Sequence, residues 1–132
     1  MQDPQAEYTL LRSCLSLPKL MFTLRTTYSL DHIDTWCLFD NTIRDSMSTI
    51  LGTPLSDTQW NQAQLPVSMG GLGLRAAVDH APAAYSCSLI ASQDLKESIL
   101  NLPADECPLS LSDDLLHHLS ELTGEELSLI HI

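Results

Sequence analysis

The run Gly71-Leu-Gly73-Leu-Arg-Ala76 meets the loose dinucleotide pattern G-x-G-x-x-A ahead of a helical stretch, a spacing that can seat a phosphate on a helix N-terminus. That chemistry needs a buried strand before the glycines and another after the helix. Pro66 interrupts the short apolar run in front and more helix follows, so Gly70, Gly71 and Gly73 read as a tight structural turn. Asp113 with His117, and Asp114 with His118, are each four apart and stack oxygen and nitrogen donors along a helix face. Neither pair has a third ligand at matching spacing, so they read as surface pairs and no metal site is expected. Leu111-Ser112-Asp113-Asp114 contains the paired aspartates that hold two cations in nucleotidyl transfer. No aromatic precedes them and a leucine-rich helical pattern follows, which makes the run an N-cap region. No serine lies in G-x-S-x-G, and no cysteine has the flanks of a protease nucleophile. Cys14, Cys37, Cys87 and Cys107 are spaced by 23, 50 and 20 residues without a C-x-x-C pair, and are expected to be small buried hydrophobes. His32 and Asp34 fit first-turn polar residues of a helix. No catalytic residue and no cofactor follow from these spacings.

The elements that must position these residues are mostly helical. Gln5 to Ser16 sets Tyr8, Leu11 and Leu15 on one side of an amphipathic helix. Pro18 suits the first turn of a second helix carrying Leu20, Met21 and Leu24. Asp31 is placed to cap a longer helix with Ile33, Trp36, Ile43, Met47 and Ile50 at helical spacing, stopped by Gly52 and Pro54. Ser56 with Gln59 makes a capping box for a helix over Asp57 to Gln64 that holds Trp60 and Ala63. Ala76 to Gln93 reads as a helix of small residues against which another helix can pack closely, with Pro82 marking a kink or a restart after His80. Beyond Gln93, nine acidic residues face Lys96 alone, and Ser110 or Ser112 caps a last helix through Leu115, Leu116, Leu119 and Leu122 to Gly124. The expected class is mainly α, a small helical bundle of about six helices with a glycine-rich turn and room for one short β hairpin.

The chain has 132 residues, enough for one core, with 6 Lys+Arg against 17 Asp+Glu and a formal charge of −11. An apolar fraction of 44% with 17% charged residues excludes a fully disordered chain. The acidic balance opposes a free-standing binder of nucleic acid or of anionic membrane, both of which need a cationic footprint. The charge is uneven: residues 1–90 carry 5 basic and 8 acidic side chains, net −3, whereas residues 91–132 carry 1 and 9, net −8. The longest largely apolar run, Ala81 to Ala91, contains a proline and two serines and is too short to cross a bilayer, so no membrane association is expected. Met1-Gln2-Asp3-Pro4 lacks the basic start of a signal peptide, which predicts an intracellular setting, cytoplasmic or nuclear.

Three runs in order carry a family resemblance. Leu10-Leu-Arg-Ser-Cys-Leu-Ser-Leu-Pro-Lys-Leu-Met-Phe-Thr-Leu-Arg-Thr26 is followed by Gln64-Leu-Pro-Val-Ser-Met-Gly-Gly-Leu-Gly-Leu-Arg75 and then by Ala81-Pro-Ala-Ala-Tyr85. Together, over about residues 8 to 92, they resemble the segment just after the polymerase palm in reverse transcriptases of non-LTR retrotransposons. The resemblance implies a thumb-like helical region over residues 1–93, followed by an acidic helical tail over 94–132. In a whole RNA-directed DNA polymerase such a region would lie beside the palm and help to hold template and primer. It also implies a fragment without catalysis of its own, because the palm motif of an aromatic, a variable residue and two aspartates is missing, as are the fingers. The implied partners are the missing palm domain and, only in the context of the full-length enzyme, a nucleic acid template-primer. Lys19, Arg25 and Arg75 are then the expected strand contacts, since cations neutralise phosphates and a glycine turn lets backbone approach a strand. Leu127-Ser-Leu-Ile-His-Ile132 resembles translated sequencing-adapter ends, and residues 127–132 are expected not to be native. The competing reading is an acidic helical protein-interaction module whose tail binds a basic partner.

Overall fold

The computed structural model describes residues 3–101 and His117. Five α-helices follow one another: α1 (Pro4–Leu10), α2 (Leu17–Thr26), α3 (Ile33–Leu51), α4 (Asp57–Gln64) and α5 (Ala77–Leu100). Three single turns join them, a π turn at Leu11–Leu15 and 3-10 turns at Leu30–His32 and Val67–Met69. The mainly helical class is as expected. The sixth helix, through Leu115 and Leu122, falls outside the described residues, as do Asp113, Asp114, His118, Cys107 and residues 127–132.

Local chemistry accounts for most helix ends. The Asp3 carboxylate accepts from the N–H groups of Gln5 and Ala6 at 3.0 and 3.4 Å, and Pro4 fills a first-turn position that needs no donor. The capping box at α4 forms as expected, with Gln59 N–H on Ser56 Oγ at 3.3 Å and Ser56 N–H on Gln59 Oε1 at 2.9 Å. Gly52 closes α3 in the left-handed conformation at φ 72°, and Thr53 N–H reaches back to the Ser48 carbonyl.

Four expectations are corrected. The first helix ends at Leu10 instead of Ser16. Ser16 N–H bonds Leu11 O at 2.9 Å, five residues back, and the backbone at Ser16 (φ −84°, ψ −139°) leaves the helix before α2 begins, with Pro18 in the first turn of α2. Asp31 does not cap α3: it lies inside the 3-10 turn, and α3 starts after His32 without a side-chain cap. Pro82 does not restart the helix, because α5 runs through it and on past residue 93 to Leu100. Among the described residues there is no strand. The hairpin expected at the glycine cluster is replaced by a wrap around the end of α4, in which Leu72 N–H and Leu74 N–H both bond the Ala63 carbonyl, at 3.1 and 3.2 Å. The cysteines differ as well: Cys14, Cys37 and Cys87 are exposed, each on a helical face turned away from the core.

The core has two lobes. Leu11, Ile43, Met47, Trp60, Ala63 and Leu74 form one, joining α3, α4 and the chain that follows α4. Leu17, Leu24, Trp36, Ala77 and Ala81 form the other, where α2 crosses α5. Phe39 packs against both. Ala77 and Ala81 are almost fully buried, and a methyl at each position lets the backbones of α2 and α5 come close.

Candidate nucleic-acid interface

The segment after α4 is held in place by its own N–H groups. Gly71 N–H bonds Pro66 O at 3.0 Å and Gly73 N–H bonds Leu65 O at 2.9 Å, while Tyr8 donates its hydroxyl to Leu72 O at 2.6 Å from α1. Gly71 is needed for approach: a Cβ there would strike the Leu65 carbonyl oxygen and come 2.7 Å from Gln62 O. Gly73 is needed for conformation, at φ 68°, and a Cβ on it would stand 3.0 Å from Arg12 Nε and 3.4 Å from Arg12 Cζ. Gly70 adopts φ 81° over open space.

Arg75 leaves this segment between two buried neighbours, Leu74 and Ala76, so its own side chain faces outward. The start of α5 behind it is anchored from α3. Ala77 N–H and Val78 N–H bond the two carboxylate oxygens of Asp40, at 2.7 and 3.1 Å. Burial pushes the Asp40 pKa above its ordinary value, a shift opposed by those two N–H bonds, increased by Asp79 and lowered by His80.

Between this segment and the Leu11–Leu15 turn lies an open cleft of about 520 Å³, lined among others by Arg12, Ser13, Gln64, Gly73 and Arg75. Among the described residues no acidic one lines it. Among the described residues neither guanidinium of the pair has an ion-pair partner, whereas Arg44 is tied to Asp57 at 2.9 Å and to Leu55 O at 2.6 Å. The cleft therefore presents two free planar cations, each able to grip an anionic oxygen pair.

Of the three expected strand contacts, the structure sets Arg75 beside Arg12 in the cleft. Lys19 and Arg25 are both exposed on α2, in its first and last turns, and neither lines the cleft. Six residues apart on a helix, they point about 120° away from each other and sit about 9 Å apart along the axis. Arg12 is the residue that the sequence reading missed. A signal for it was present: residues 8–30 and 58–78 contain no Asp or Glu at all, yet they hold Arg12, Lys19, Arg25 and Arg75, four of the six cations. The fold packs these two acid-free stretches against each other. Among the described residues no three His, Cys, Asp or Glu side chains gather as metal ligands, and no helix is long and apolar enough to cross a membrane.

Over 76 residues, 55% of this chain, the sequence is 36% identical to the retrotransposable element SLACS 132 kDa protein of Trypanosoma brucei gambiense. The chain spans about 6% of the length of that relative. The likeness fits a retrotransposon-derived fragment. No protein-family model matches the chain, and no solved structure matches it.

Proposed function

We propose that this chain is a thumb-like accessory segment of a non-LTR retrotransposon reverse transcriptase, a helical unit that helps to hold template and primer beside a palm domain and performs no catalysis by itself. The observation that carries the proposal is the sorting of charge. In a chain of net charge −11, the two stretches that make up the glycine turn and the α1–α2 junction are free of acid, and together they hold four cations. The likeness to a retrotransposable-element protein supports the same reading. Exposed Phe22 and Leu38, 79% and 68% accessible, are apolar surface of the kind that a neighbouring palm domain would cover. Lys19, Arg25 and Arg75 serve here as phosphate contacts, with the partner being the nucleic acid in the assembled enzyme.

The test is fluorescence anisotropy of the full chain with an RNA–DNA template-primer, from low salt upward. Binding should weaken as salt rises, and replacing Lys19, Arg25 and Arg75 together by Gln should flatten the log–log salt slope by about 0.9 per lost phosphate contact. A chain that fails to bind the duplex at the lowest salt would refute the thumb reading. Capture of a basic peptide by the full chain under those same conditions would then favour the acidic interaction module, whose basis is the net −8 of residues 91–132. Template-dependent primer extension by the chain would overturn the absence of catalysis.

A further inference from the structure

We infer that the cleft lined by Arg12 and Arg75 is a seat for one phosphodiester of a single nucleic acid strand, with both guanidinium groups contacting its oxygens. The inference rests on the thumb reading for its ligand class, and on the structure for its place and its residues. The two arginines are 63 positions apart in sequence but line one cavity. Among the described residues each lacks an acidic partner and no carboxylate lines the cleft to compete with an incoming anion. Gly73 makes the pairing possible. With no Cβ, it lets the Arg12 guanidinium lie directly against the turn, where any side chain would crowd Nε at 3.0 Å. The glycine therefore has a role apart from turn geometry: it leaves room for the Arg12 guanidinium against the segment that carries Arg75.

The remaining lining suits a strand better than a bare ion. Ser13 and Gln64 add neutral polar groups, and Pro18, Met21 and Val67 supply an apolar side that a sugar or a base can rest on. At about 520 Å³ the cleft lies within the roughly 300–1,000 Å³ of typical small-ligand sites, and it is open to solvent, as a continuing strand requires. Arg12 occupies the π turn at Leu11–Leu15. The irregularity that ends α1 early is thus the same feature that brings this guanidinium to the cleft.

The experiment is NMR of the full chain labelled with nitrogen-15, following the arginine Nε–Hε signals during titration with a thymidine pentanucleotide and, separately, with inorganic phosphate. R12K and R75K assign the signals. The Arg12 and Arg75 signals should move together along one saturable curve while those of Arg25 and Arg44 stay nearly still. R12Q or R75Q should weaken the pentanucleotide by about tenfold, the scale of one charge-assisted bidentate contact, with unchanged helical circular dichroism. Phosphate should bind at least about tenfold more weakly than the pentanucleotide, because it has no sugar or base to rest on the apolar side. Static Arg12 and Arg75 signals, all four arginines moving in step, or phosphate matching the pentanucleotide would each overturn the assignment. The two readings fail separately. Duplex binding with Arg12 and Arg75 silent would leave the thumb reading standing without this cleft, and a pentanucleotide seated in the cleft by a chain that ignores duplex would do the reverse.

Discussion

Asp40 is the side chain whose removal should be felt furthest from its own position. Its carboxylate receives Ala77 N–H at 2.7 Å and Val78 N–H at 3.1 Å, and α5 has no side-chain cap from its own N-cap residue, Ala76. Helix α5 in turn supplies Ala77 and Ala81 to the core. Removal of an N-cap costs about 0.5–2 kcal/mol, and a hydrogen bond to a charged group contributes about 1.5–3 kcal/mol. Asp40 is only half-buried, so water replaces part of what is lost, and Asp40→Ala should cost about 2 kcal/mol, or ~8–16 °C in melting temperature for a domain of this size. Asp40→Asn keeps one acceptor and should cost about half as much. The pH dependence has a definite sign. Burial dominates and raises the folded pKa, so the folded chain holds this proton more tightly than the unfolded chain. The proton-linked part of Asp40's contribution is then fully present below its unfolded pKa and is lost as pH rises through the folded value, while the two N–H bonds to the carboxylate remain. Urea melts of the parent and of Asp40→Asn at steps from pH 3.5 to 7 check this, since other titrating groups cancel in the difference. A stability gap that widens with rising pH would mean that the two N–H bonds outweigh burial. A melting shift under about 2 °C for Asp40→Ala would refute the cap itself.

The glycine turn should respond to alanine in a fixed order. Gly71→Ala drives a methyl into the Leu65 carbonyl and should cost the most, about 2–3 kcal/mol; Gly73→Ala pays for left-handed backbone and displaces Arg12, about 1–2 kcal/mol; Gly70→Ala, over open space, should cost about 1 kcal/mol, all read by urea denaturation. An unfolding series in which Gly70→Ala is the worst would contradict the close approach at Gly71. Cys14, Cys37 and Cys87 should react with a thiol reagent in the native protein without denaturant, because all three are exposed; slow labelling that requires urea would disprove this. Phe22→Ser should leave the melting temperature within about 1 °C and reduce concentration-dependent self-association in sedimentation, since a side chain 79% accessible contributes little to the core.

What was legible in the sequence was what local spacing determines. The box of Ser56 and Gln59 is three residues wide, the stop at Gly52 follows from one residue's backbone freedom, and the burial of Trp36, Ile43 and Met47 follows from helical periodicity. What escaped depends on residues far apart in the chain. Asp40 reaches 37 positions forward to cap α5, and nothing near Ala76 predicts a partner on α3. The π turn and the break at Ser16 go with Leu11 and Leu17 packing into two different core lobes, which periodicity along Gln5 to Ser16 does not reveal. The cysteines illustrate a different gap: residue type predicts burial on average, but Cys37 lies about 100° round α3 from buried Trp36, and face decides over type. At the candidate site, Arg75 could be singled out because it ends a glycine motif, whereas Arg12 acquires its meaning only once Gly73 is folded against it.

The net charge of −11 first argues against nucleic acid, and the fold changes what that number means. Coulomb interactions across water are screened over about 8 Å at physiological ionic strength, so a strand at the cleft responds to the side chains within roughly that distance and hardly to the whole-chain total. Among the described residues the cleft lining holds two cations and no acid. The nearest acidic residues on either side in sequence are Glu7 and Asp31 for Arg12, and Asp57 and Asp79 for Arg75; of these, Asp57 is paired with Arg44. The acidic excess sits chiefly in residues 91–132, outside the two acid-free stretches that hold four of the six cations. Local cationic geometry and global acidity therefore act on different length scales. A short single strand in the cleft is the ligand for which the local charges count most and the total counts least.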